Sequence, residues 1–266
     1  MTSSRISCEE RRLTLDKVLE AAIQAGRAAG EVALKYYRGG FEVTIKPDQS
    51  PVTQADREAE EVIIETLRSA FPDYGFFGEE LGAQGNQEVR WLIDPIDGTR
   101  NFVRSIPIWA VLIALEERGE VTAGVVLSPV TGDLHTARKG VGAFANGQRI
   151  RVSEVSELEQ ALLVHASLNL IRQEGYWEGF VRLVDATAAQ RGFGDYLDYV
   201  WLAEGKAEIA MEANLKPWDL GPMKILIEEA GGRFTDFEGK STIYSGTALA
   251  TNGRLHREAL ALLSDR

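Results

Sequence analysis

Cysteine and histidine are nearly missing from this chain. The single cysteine, Cys8, allows no internal disulfide. The three histidines, His135, His165 and His256, lie far apart with no metal-ligand spacing, which argues against a histidine-rich zinc hydrolase. No apolar run reaches membrane-spanning length, so no membrane partner is expected. The start, Met1 to Arg12, is polar and has no apolar core of the kind a signal peptide needs. Basic patches are missing too. A formal net charge of −11 leaves no electrostatic footprint for nucleic acid. The lone cysteine suits a cytoplasmic protein.

What is present is ample apolar material. With 266 residues, 44% hydrophobic and 26% charged, the chain can bury one large core or two moderate ones. Leu15 to Arg38 carries apolar residues at helical intervals and stops at Gly39-Gly40. A short strand is predicted over Phe41–Lys46, a second helix from Thr53 to about Ala70, and a buried strand over Val89–Ile93. Strands at 107–116, 120–127 and 133–137, joined by short turns, read as antiparallel. Asn146-Gly147 is a hairpin signal. After about Ser153, strands and helices alternate: 161–165, 173–185, 191–193, 197–204, 207–212, a helix from Pro217 to Gly231, 248–251 and 255–264. Alternation of this kind suggests an α/β layer. The expected organisation is a flexible leader (1–12), an N-terminal α+β part (13–152) and a C-terminal α/β part (153–266).

Chemistry concentrates in Trp91-Leu92-Ile93-Asp94-Pro95-Ile96-Asp97-Gly98-Thr99. A hydrophobic run delivers two carboxylates three residues apart, then Gly-Thr. Hard divalent cations take clustered oxygen ligands, and Mg²⁺ in particular uses a few carboxylates with water and substrate phosphate. Backbone N–H groups at a glycine turn suit a phosphate. Pro95 lacks an N–H, so the chain is expected to turn there, which can also aim the Ile96 carbonyl at a cation. Haloacid-dehalogenase-type phosphatases carry a similar Asp-x-Asp-Gly-Thr, but here two residues separate the aspartates. Gly140 to Ala145 mimics a dinucleotide fingerprint, yet a hairpin signal follows it where a helix is required.

Other acids have two readings each. Gly78-Glu79-Glu80 after Phe76-Phe77 is either a solvated turn or a strand-end pair that ligates metal and activates water. Asp56 suits the first turn of a helix, or a site. Asp219 in Pro217-Trp218-Asp219 complements a helix N-terminus, or supplies a third carboxylate to a metal.

Taken together, Pro51-Val52-Thr53-x-Ala55-Asp56, Gly78-Glu79-Glu80, Asp94 through Phe102, Asn146-Gly147, Gly194, Glu212, Pro217-Trp218-Asp219 and Glu229-Ala230-Gly231-Gly232 resemble the inositol monophosphatase family. Order and spacing agree over nearly all the chain after the leader. The resemblance implies an αβαβα layered sandwich, hydrolysis of a small phosphate monoester with two or three Mg²⁺ ions, and often a homodimer. It assigns Glu79, Asp94 and the Ile96 carbonyl to one metal site, and Asp94, Asp97 and Asp219 to a second. Glu79 and Thr99 orient the attacking water, with Asp56 behind them. The N–H groups of Gly98 and Thr99 cradle phosphate, beside Asp97 and Asp219.

The chain departs from the inositol pattern at Gly194-Asp195-Tyr196, where inositol enzymes usually carry small residues. Asp195 adds a carboxylate near Glu212, which the family places at the non-phosphate end of the substrate. Two acids pair well with a substrate ammonium and poorly with a neutral polyol. This resembles the histidinol-phosphate phosphatase branch, with Arg191 orienting one of the two acids. Alternatives are an inositol-1-phosphate or broad sugar-phosphate phosphatase, or a non-catalytic metal-binding relative. Asp195 also has a plain reading, as N-cap of the following helix.

Overall fold

A computed structural model describes residues 8–40, 43–45 and 51–264. The N-terminal half runs α1 (Cys8–Gly39), β1 (Val43–Ile45), β2 (Pro51–Thr53), α2 (Gln54–Ala70), β3 (Gly75–Gly78), β4 (Gly82–Gln84), β5 (Val89–Asp97), α3 (Thr99–Phe102), β6 (Ala110–Glu117), β7 (Glu120–Leu127), β8 (Leu134–Arg138), β9 (Gly142–Ala145) and β10 (Gln148–Arg149). The rest is β11 (Leu162–His165), α4 (Leu168–Gln173), α5 (Trp177–Ala186), β12 (Ala189–Arg191), α6 (Asp195–Ala203), β13 (Ile209–Ala213), α7 (Pro217–Glu229), β14 (Arg233–Thr235), β15 (Thr247–Thr251) and α8 (His256–Ser264). Helix α1 starts at Cys8, so the last residues of the expected leader are helical. The outer residues of the strand predicted over Phe41–Lys46, at 41, 42 and 46, lie outside the described residues.

An eight-stranded sheet has the order β10-β9-β8-β7-β6-β5-β3-β4, and a five-stranded sheet the order β12-β11-β13-β15-β14. In the large sheet only β3 and β5 pair in parallel. In the small one β11 pairs in parallel with β12 and β13.

Period-two alternation builds the layers. Along β5, Trp91 and Ile93 face α1 and α2, packing with Val18, Ala25, Ile63 and Leu67. Leu92 takes the other face, in a core with Leu202 of α6 and Leu220, Met223 and Leu226 of α7. That same core is closed from beyond by Val164, Ala210 and Ala250 of the small sheet. Their strand neighbours Leu163, Ile209 and Leu249 pack outward on Phe180, Leu183 and Leu263 of α5 and α8. The result is helices, sheet, helices, sheet, helices: the αβαβα sandwich expected of the sequence.

Candidate active site

The site begins where β5 loses its regular pairing. Asp94 pairs with Leu112 of β6 and Asp97 with Ala110, so β5 advances three residues while β6 advances two. This is a β-bulge, where one residue stands unpaired and the strand bends. Pro95 occupies it without leaving an N–H unsatisfied. The expected turn at Pro95 is therefore corrected: the strand continues to Asp97 and kinks instead of ending. Asp94 Oδ1 accepts the N–H of Ile96 at 2.9 Å, locking the bulge from within. The Ile96 carbonyl accepts the Thr99 hydroxyl at 3.0 Å.

Three carboxylates converge on this bend. Atoms of Asp94, Asp97 and Asp219 lie within 4.8 Å of one another. Asp97 Oδ2 accepts the N–H of Tyr196 at 2.7 Å. Asp219 sits in the first turn of α7, and its Oδ2 accepts the N–H of Lys216 at 2.8 Å. Helix capping and site chemistry are thus one arrangement at Asp219. Asp94 also shares a hydrogen bond with Asp219. Two carboxylates can do so only if one holds a proton.

Electrostatics agrees. Burial, then the charges of Glu79, Asp97 and Asp219, push Asp94 well above the usual carboxylate range. Burial, then Asp195 and Asp219, do the same to Asp97. Asp219 is pushed up to about 7 by burial and then by Glu79. Like charges this close resist ionising together. An all-oxygen, acid-crowded pocket fits a hard divalent cation, whose charge would replace the shared protons.

Glu79 follows β3 directly, and its N–H donates to the Ile93 carbonyl at 3.2 Å. Asp56 is buried in the first turn of α2. Its neighbour Ala55 packs in one cluster with Ile96, Phe102 and Trp109. Trp218, next to Asp219, meets the edge of Phe77 at 5.0 Å between centroids, and the Arg90 guanidinium lies 4.8 Å from that ring centre.

Gly98 adopts a left-handed conformation (φ 85) and caps α3. A Cβ there would stand 2.9 Å from the Ile108 carbonyl and 3.2 Å from Asp195 Oδ2, so conformation and space both call for glycine. Asp195 therefore reaches back against the very turn that follows Asp97. It is the first residue of α6, with Gly194 as N-cap, and holds a left-handed backbone (φ 56). Non-glycine residues in this region mark strain that the surroundings must impose. Its Oδ2 accepts the side-chain amide of Asn101 at 2.9 Å. Burial pushes its carboxyl up to about 6, against the pull of Arg100. A plain N-cap role for Asp195 does not describe this geometry.

Glu212, buried on β13, is pushed well up by burial and then by Asp195, Asp198, Asp97 and Asp219. It thus joins the same acidic field. Arg191 does not. It ends the edge strand β12, is exposed, and its guanidinium donates to the Gln190 carbonyl at 2.7 Å. The arginine whose charge acts on Asp195 is Arg100.

Two residues escaped the sequence reading. Asn101 was visible only as part of a motif. Asp198, one helical turn beyond Asp195, is buried at 2% exposure and accepts the N–H of Gly194. Its other oxygen, Oδ1, is among the few buried side-chain atoms of the described residues without a partner. An acid three positions after Asp195 on a predicted helix was the available signal.

Comparison with known proteins follows the same line. A model of the inositol monophosphatase family matches residues 14–266. A histidinol-phosphatase of Mycobacterium tuberculosis is 40% identical over 255 residues, covering 94% of this chain and 98% of that protein. An inositol-1-monophosphatase of Mesorhizobium japonicum is 34% identical over 262 residues, covering 94% and 96%. Among solved structures, the extragenic suppressor protein suhB of Bartonella henselae superposes with a TM-score of 0.88 at 33% identity, covering 93% of this chain and 98% of that one.

Proposed function

The chain belongs to the inositol monophosphatase family, and within it we propose a Mg²⁺-dependent phosphomonoesterase that hydrolyses L-histidinol phosphate to L-histidinol and phosphate. The observation that carries the substrate is the placement of Asp195. It is a half-buried acid pressed against the Gly98 turn and held by Asn101, in one electrostatic field with Glu212. A neutral polyol would leave both acids uncompensated, whereas an ammonium group pairs with them. Similarity to histidinol-phosphatases at 36–40% identity supports the same choice.

Glu79, Asp94, Asp97, Asp219 and the Ile96 carbonyl are the groups that would hold the metal. A Mg²⁺ ion held by them would polarise the phosphoryl oxygens, acidify water and stabilise the leaving alkoxide. The chain's own contributions follow from its geometry. The N–H groups of Gly98 and Thr99 open α3 and orient the phosphate. The Thr99 hydroxyl spends its proton on the Ile96 carbonyl, so its lone pairs face outward as an acceptor for the attacking water. Glu79 takes the proton from that water. Asp56, on the family pattern, backs these groups from α2. No covalent intermediate on Asp94 is required. The proposal carries with it the homodimer of the family. No helix among the described residues is long and apolar enough to cross a membrane.

Phosphate release decides. With Mg²⁺ present, the account expects higher kcat/KM on L-histidinol phosphate than on inositol 1-phosphate, and loss of both with EDTA. Preference for inositol 1-phosphate would transfer the chain to the second reading, which its similarity to an inositol-1-monophosphatase supports.

A further inference from the structure

Glu60 lies in the middle of α2 with no exposed surface at all, yet no step of the reaction calls on it. Carboxylates are seldom enclosed to this degree unless they are held. Both oxygens of Glu60 are engaged. Oε2 accepts the N–H of Glu80 at 2.8 Å and Oε1 accepts the N–H of Leu81 at 3.0 Å. The N–H just before them, that of Glu79, goes to the carbonyl of Ile93, the residue preceding Asp94. Three consecutive N–H groups are therefore fixed, one by β5 and two by α2. The backbone of Glu79 cannot rotate without breaking at least one of them. Strand β3 makes the space: a Cβ on Gly78 would stand 1.9 Å from Glu60 Oε1.

A role confined to stabilising the fold would not need an acid. Ordered water could satisfy such N–H groups without burying a carboxylate. The residue that begins the held segment is the informative one. Glu79 lies close enough to Asp94 and Asp219 to raise both, and its charge is also felt at Glu60. One turn earlier on the same face of α2 stands Asp56, equally buried.

We propose that Glu60 is the positioning residue of Glu79: its two oxygens hold the 79–81 turn so that the Glu79 carboxylate is aimed at the cluster of Asp94 and Asp219. This rests on the reading of Glu79 as a residue that holds Mg²⁺ and orients the water.

Calorimetric titration of Mg²⁺ into the metal-free full chain tests it, with E60Q, G78A and E79Q beside the wild type. In E60Q the amide keeps one acceptor and turns a donor toward an N–H, so one end of the turn is released. In G78A the added methyl displaces the carboxylate while leaving it in the chain. The expected result is a Mg²⁺ dissociation constant about tenfold higher in both, measured at a temperature where each variant is still folded. Lower melting temperatures with unchanged Mg²⁺ affinity would overturn the proposal. If E60Q does not fold, G78A decides alone. E79Q separates the two ideas. Wild-type Mg²⁺ affinity in E79Q removes the underlying reading of Glu79. Weakened binding in E79Q but not in E60Q and G78A removes only the positioning role of Glu60.

Discussion

The backbone N–H of Tyr196 donates to Asp97 Oδ2 at 2.7 Å. A peptide group next to Asp195 is thereby tied to a carboxylate of the proposed metal cluster. The segment that distinguishes this chain from the inositol pattern is anchored directly on the segment that carries the shared chemistry. This contact and the Asn101 bond to Asp195 fix the position of the Asp195 carboxylate relative to the Asp97 turn.

Asn101 should therefore matter for recognition and little for chemistry. N101A removes a hydrogen bond to a charged acceptor, a loss of about 1–2 kcal/mol. KM for L-histidinol phosphate is expected to rise roughly five- to thirtyfold by that figure, with kcat nearly unchanged. R191A, at an exposed side chain bonded only to its neighbouring carbonyl, is expected to change neither. Steady-state kinetics on the two variants checks both statements.

Metal binding should release protons. Asp94 and Asp97 are held well above the carboxylate range by burial and by each other's neighbours, and Asp219 at about 7. Bound Mg²⁺ requires the ionised forms. Calorimetry at pH 7 in buffers of different ionisation enthalpy should show proton uptake by the buffer, and affinity should fall as pH drops below 7.

The same shifts set a stability trend with a definite sign. An acid whose folded pKa is raised binds its proton more tightly when folded, so its contribution is present at low pH and is lost as pH rises. For Asp219 the window runs from its usual 3.8 to about 7. Without metal, the melting temperature of the wild type should fall across that window relative to D219N, and added Mg²⁺ should restore it.

His256 gives the opposite slope. Its ring is buried at 1% exposure between two threonines. The Thr235 hydroxyl donates to the Asp236 carbonyl, so His256 Nε2 must donate to Thr235, leaving Nδ1 to accept from Thr251. Burial, then Arg233, lower its pKa from 6.5 to about 4. A base with a lowered folded pKa contributes fully above 6.5 and loses that contribution as pH falls toward 4, roughly 3 kcal/mol in all. Melting curves of H256Q should be flatter than wild type over this range.

Much of the architecture was readable from periodicity. Apolar runs over 89–93, 107–116 and 120–127, separated by turn signals, marked the central strands, and Asn146-Gly147 marked its hairpin, with both residues at positive φ. Other features depend on partners remote in sequence. The helix predicted over 173–185 starts only at Trp177, after a break at Gly175 (φ 82), and the short α4 before it carried no clear signal. Pro95 signalled a turn, but pairing with β6 carries the strand through it as a bulge. Asp94 and Asp97 announced themselves by clustering with glycine and proline, whereas Asp219 was assigned to the metal only through the family resemblance. Asp195 required a departure from a family pattern to be noticed. Nothing in the local sequence singles out Glu60, because the N–H groups it serves lie 20 and 21 residues away.

The central claim is that a half-buried acid beside the phosphate turn, Asp195, selects an ammonium-bearing substrate. The ratio of kcat/KM for L-histidinol phosphate to that for inositol 1-phosphate, measured with Mg²⁺ in the wild type and in D195N, tests it most directly. Removing one charged partner costs about 2 kcal/mol, or roughly a thirtyfold drop in that ratio, with inositol 1-phosphate turnover preserved. A ratio that favours inositol 1-phosphate in the wild type, or one that D195N leaves unchanged, would contradict the account.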